Sequence, residues 1–261
     1  MKVFKLFKKE WRFEMSLPTG EDFVKHILAM DVTVIKNGWE GTLKRVLGTE
    51  CLKDFQIKAL ILALARMESA FGKYMTIDKP VESYMERFNN DEWLSKPHGY
   101  FHIMGANIQD TSLGAINNEE TFTRDCGTVE LQIDLLLRFI LQKIVYSEIF
   151  ENTSCSSLMK FRAAYYGGLG ALKHFQEHGE FPKSDEWDIN KNVDRFLEIF
   201  KQMEKRVYDY EAYQEPTPHE KSLEKLISEL SQLRLALDSF ILQAQKTSEL
   251  LYNFVKKQTD V

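Results

Sequence analysis

Glycine, proline and cysteine are all scarce, with 13 Gly, 6 Pro and 3 Cys among 261 residues. So little punctuation argues against turn-rich all-β folds and excludes collagen-like or low-complexity chains. The cysteines (Cys51, Cys126 and Cys155) are odd in number and form no C-x-x-C pair, which argues against a disulfide scaffold and a structural zinc cluster. Positive charge is not in excess either. There are 34 Lys+Arg against 39 Asp+Glu, a net charge of −5, whereas a DNA binder normally carries a basic face, so no DNA partner is expected. A long apolar run is also missing. The most apolar stretch, 129–150, is interrupted by Glu130, Gln132, Asp134, Arg138, Gln142 and Lys143, and a membrane span needs about 20 predominantly apolar residues. The first ten residues are basic and never reach the roughly 7–15 apolar residues of a secretory leader. A cytoplasmic protein is expected.

What is present is helical periodicity. Hydrophobic residues make up 44% of the chain, ample for a buried core. Thr19, followed by Glu21 and Asp22, looks like a helix start, and Phe23, Val24, Ile27, Leu28 and Ile35 keep helical spacing until Asn37-Gly38. Thr49 is a second candidate cap, before a run from Leu52 to Phe71. Pro80 can open a short helix carrying Tyr84, Met85 and Phe88. Thr128 should cap a helix to about Phe150 that is apolar nearly all round, the signature of a central buried helix. Ser154 or Ser156 opens the next helix, Gly167-Gly168 breaks it, and Gly179 ends a further one. Residues 89–127 are the irregular part, with loops, short helical turns and room for a small hairpin, and a segment of this kind often carries function.

The strongest pattern lies at the C-terminus, where no glycine occurs from 183 to 261. Val193, Phe196, Phe200, Met203, Val207 and Tyr210 recur at alternating steps of three and four. Leu223, Leu226, Leu230, Leu233, Leu237, Phe240, Ala244, Thr247, Leu251 and Phe254 do the same, forming a heptad seam. Pro216 and Pro218 separate the runs, so the simplest structure is an αα-hairpin. Ile227, Ile241, Leu250 and Val255 widen the second stripe, which implies packing against more than one helix.

The expected fold is therefore all-α, a multi-helix bundle with an irregular middle segment and a long C-terminal antiparallel hairpin. Its expected parts are a basic aromatic arm (1–18), a helical core (19–182) and the hairpin (183–261) packed on that core. The arm sets Lys2, Lys5, Lys8, Lys9 and Arg12 among Phe4, Phe7 and Trp11. Its aromatics could dock on the core, or the arm could touch an acidic partner, RNA or a membrane surface.

Four groups could carry chemistry. His174, Glu177 and His178 form H-x-x-E-H, in which two histidines on one helix face can hold zinc and the glutamate can activate its water. The pattern is similar to the signature of inverzincin metallopeptidases, with Gly168-Leu169-Gly170 before it and Phe181 after it. That resemblance spans only 168–181, and the family's N-terminal strands and its Asn-Ala-x-Thr segment before the third ligand are absent. It implies His174 and His178 as metal ligands and Glu177 as catalytic base. The bland alternative is two histidines at a helix C-terminus. His98 and His102 are also four apart, but Gly99 and Gly105 weaken the helix that would align them. Glu130, Asp134 and Arg138 form a polar stripe with an expected Asp134–Arg138 pair. Arg162 and His174 lie too far apart for the Arg–His motif of helical ribonucleases of the HEPN class. No G-x-S-x-G motif or phosphate loop occurs, and whether the chain is an enzyme stays open.

The leading expectation is a helical protein-interaction or assembly module, with a protein partner or second copy gripping Leu226, Leu230, Leu233, Leu237 and Phe240. The alternative is a metal-dependent, hydrolase-like helical enzyme with zinc on His174 and His178. A third reading is a helical protein acting on RNA or nucleotides.

Overall fold

The computed structural model describes residues 17–75, 79–184 and 188–214, and beyond them Leu226, residues 228–234, Leu237, residues 239–240, Gln243 and residues 245–246. The basic arm up to residue 16, the prolines at 216 and 218, and the seam positions Leu223, Ala244, Thr247, Leu251 and Phe254 lie outside the described residues. So do Ile227, Ile241, Leu250 and Val255. The fold is all-α, with one two-stranded hairpin among the described residues. The chain divides into two compact units, Met1–Tyr210 and Glu211–Val261.

The helices follow in order as α1 (Glu21–Ala29), α2 (Thr33–Leu47), α3 (Asp54–Ser69) and α4 (Glu82–Arg87). The hairpin strands are β1 (Pro97–His98) and β2 (Ile103–Met104), and α5 (Gly105–Thr111), α6 (Glu119–Asp125) and α7 (Val129–Ile140) come next. A π-helical turn (Leu141–Val145) leads to α8 (Glu148–Asn152), α9 (Ser157–Gly167), α10 (Leu169–His178) and α11 (Ile189–Gln214). No described helix is long and apolar enough to cross a membrane.

Several boundaries differ from expectation, each for a local reason. Asn37-Gly38 does not stop a helix. The break comes earlier, where the Asp31 carboxylate accepts the Thr33 N–H at 2.9 Å and opens α2. The helix then passes the Asn-Gly pair by kinking at Trp39, whose φ is −127°. Thr49 caps nothing, because its hydroxyl is held in a turn with the Cys51 backbone, and α3 starts at Asp54. The helix from Thr128 ends short of Phe150. It loosens into the π turn, breaks at Tyr146, and restarts where the Ser147 hydroxyl accepts the Phe150 N–H at 3.1 Å. Arg45 donates to the Val145 carbonyl at 3.0 Å, giving that helix-terminal acceptor a partner.

Two helices, not one, are central. Every residue of α3 from Ile57 to Ala65 is buried, and Ala59, Ala63 and Ala65 are small enough to let α1 and α2 pack closely against it. The one cation in that stretch, Lys58, donates to the Leu28 carbonyl at 2.8 Å, at the C-terminal end of α1. Helix α7 buries one face, including Ile133, Leu136, Leu137 and Ile140, against α2 and α5. Helix α11 adds Val193, Phe196, Phe200, Met203 and Val207 to the same core.

Candidate functional sites

The proposed interface residues are the first site. Leu226, Leu230, Leu233, Leu237 and Phe240 are all helical and 52–68% exposed. Five bulky apolar side chains in heptad spacing, all more than half exposed, make an unusual helix surface.

The H-x-x-E-H residues lie at the end of α10. The rings of His174 and His178 stack with centroids 4.1 Å apart. His178 Nδ1 meets the His174 carbonyl at 3.0 Å, so that nitrogen carries the proton. Glu177 and His178 are exposed, and Gly179 closes the helix in the left-handed conformation at φ 76°. No group of three or more His, Cys, Asp or Glu able to hold a metal gathers among the described residues.

The α7 stripe is split. Arg138 donates to Asp134 at 2.7 Å, an intrahelical pair, while Glu130 turns instead to His26, at 2.8 Å. Arg162 is a core residue, 1% exposed, not a partner of His174. It donates to Glu68 at 2.5 Å and to Asn192 at 2.7 Å, and its guanidinium lies over Phe196.

The irregular middle segment builds a cleft of about 650 Å³. His98 and His102, paired in sequence, diverge here. His102 Nε2 meets the Tyr74 carbonyl at 2.6 Å, whereas His98 Nε2 donates to the Trp93 carbonyl at 2.8 Å. The His98 ring stacks on the Trp93 indole at 4.6 Å and 19°. Burial holds its pKa below the usual imidazole value, against the pull of the Trp93 carbonyl and of Glu119. In the neutral ring the Nε2–H is committed to Trp93, which leaves Nδ1 as an acceptor, 3.6 Å from Glu119. Phe122, Gln132 and Cys126 complete the inner wall. Burial pushes the Cys126 thiol up to about 11, so it is no nucleophile at neutral pH. The Gln132 Oε1 accepts the Tyr100 N–H at 2.9 Å.

Two glycines make this wall possible. A Cβ at Gly99, where φ is 71°, would sit 2.4 Å from Gln132 Oε1, and one at Gly105 would sit 2.2 Å from the Trp93 carbonyl oxygen.

Compared with family models, curated proteins and solved structures, the chain matches none. The cleft therefore stands on its geometry. Of its key residues, sequence spacing pointed only to His98, and for the wrong partner. Trp93 lies five residues before it, in the turn that leads into β1, and Gln132 shows in sequence only as a polar break in an apolar helix. A buried glutamine on an apolar face is the one signal that could have found the site.

Proposed function

We propose that the chain is a cytoplasmic helical assembly module that self-associates through the stripe Leu226, Leu230, Leu233, Leu237 and Phe240. The exposure of all five residues carries this reading. Each leucine left in water forgoes roughly 1.5–3 kcal/mol of burial, and a repeat of period 3.5 is complementary to a copy of itself. The flanking sequence favours a parallel second copy. Glu229 precedes the seam position Leu230 and Arg234 follows Leu233, and these are the flanks that meet between parallel helices. The broad stripe suits a dimer or larger assembly.

Sedimentation equilibrium of the whole chain tests the reading. The expected result is a concentration-dependent dimer or larger species, reduced to monomer by Leu233→Glu with Leu237→Glu. Both positions are exposed, so the variant keeps its fold. A wild-type monomer at every concentration ends the proposal. Metal analysis of tag-free protein addresses the rival. Stoichiometric zinc that is lost on replacing His174 and His178 would favour the hydrolase reading instead.

A further inference from the structure

The cleft of the middle segment holds two polar groups that no described residue satisfies. Trp93 Nε1 and Gln132 Nε2 are buried and have no hydrogen-bond partner among the described residues. Both side chains line the cleft, and Gln132 as a whole is 2% exposed. Native proteins rarely leave a buried donor unpaired, and those that do commonly reserve it for a ligand or a bound water. Gln132 cannot hide its amide nitrogen by flipping, because Tyr100 N–H already fixes which end is oxygen. The Trp93 indole is likewise held by its stack on His98.

The rest of the wall says what would fit. Phe122 and the Trp93–His98 stack are flat and aromatic, which favours a planar ring. His98, which lines the same cleft, offers one acceptor at Nδ1. Among the described lining residues the one Lys or Arg, Lys96, is paired with Glu92. Glu119 stands at the cleft mouth with its side chain 72% exposed, which disfavours an anionic ligand, the more so at low salt. Burial keeps the Cys126 thiol protonated, so the wall presents no thiolate. Its volume lies in the range of small-molecule sites.

We propose that this cleft binds an uncharged planar ring bearing an amide or ring carbonyl, of nucleobase or nicotinamide size. The carbonyl accepts from the donors of Gln132 and Trp93 after a small displacement of the wall, and a ring or amide N–H reaches His98 Nδ1. The lining residues all belong to the Met1–Tyr210 unit, so the inference does not rest on self-association.

The test is isothermal titration of the full-length chain with nicotinamide, uracil and nicotinate. Nicotinamide or uracil is expected to bind saturably with Kd below about 1 mM, and nicotinate about tenfold more weakly or worse. Thr123 is exposed and lines the cleft, so Thr123→Trp should block binding by at least about tenfold without changing the melting temperature. Glu119→Gln should narrow the gap between nicotinamide and nicotinate. No binding of either neutral probe at about 10 mM overturns the proposal. So does equal binding of nicotinate, or undiminished binding by a folded Thr123→Trp chain.

Discussion

Val193, Phe196, Phe200, Met203 and Val207 share their alternating spacing with Leu226, Leu230, Leu233, Leu237 and Phe240. The first set is at most 4% exposed, while every member of the second is more than half exposed. Spacing thus records that a helix has an apolar face and is silent on what covers it. The first run contains two phenylalanines and meets a core already shaped to receive them, with Phe161 edge-on to Phe196 and Arg162 stacked upon it. The second is mostly leucine, of uniform size and regular period, suited to a copy of itself.

The sharpest way to break this contrast is to cut one residue from each run. Phe196→Ala should cost about 3–5 kcal/mol in urea denaturation, through lost burial and the cavity left behind. Leu233→Ala should change the stability of the dilute, unassembled chain by less than about 0.5 kcal/mol. Equal losses would mean that the second run is covered within its own chain.

Next in size is Arg162→Met, which leaves the Glu68 carboxylate, 14% exposed, without its counter-charge. A loss of about 3 kcal/mol is expected by the same measurement, with the oligomeric state unchanged.

A smaller effect separates the two regions by pH. The folded state holds the pKa of His98 below its unfolded value, so the unfolded chain binds the proton more readily. His98 therefore lowers stability as pH falls below about 6.5 and toward its folded pKa, and has no such effect above that window. The proposed interface contains no histidine. Denaturation curves at pH 7.5 and 5.5 should diverge, and the divergence should shrink in His98→Phe, while sedimentation of the folded chain changes little.

The smallest effect tests orientation. Glu229→Lys should weaken association by about 0.5 kcal/mol at low salt, and adding Arg234→Glu should restore it. Failure of the second change to restore what the first removed would argue against parallel copies.

The helical class and most helices were legible in sequence because apolar periodicity reports them directly. Thr128, Gly168 and Gly179 mark ends where the backbone indeed turns, the glycines with φ of 70° and 76°. Asn37-Gly38 and Thr49 misled because a cap or breaker acts only if its neighbours leave it free. Trp39 absorbed the kink, and the Cys51 backbone occupied the threonine. The cleft was least legible. Its residues come from the turn before β1, the β1 hairpin, α6 and α7, with Leu17 and Met75 from earlier in the chain, and no one-dimensional spacing joins Trp93 to Gln132.

Arg162 carries a consequence for how the Met1–Tyr210 unit comes apart. Its guanidinium is shared between Glu68, 94 residues before it, and Asn192, 30 residues after it. Neither α3 nor this part of α11 can peel away without stranding a charge from which water is otherwise excluded. Fraying from one side is thus replaced by all-or-none loss, and calorimetry should record one sharp endotherm for this unit. A single charge, placed where three distant stretches of chain meet, acts as the knot in a cord that loosens everywhere once it is cut.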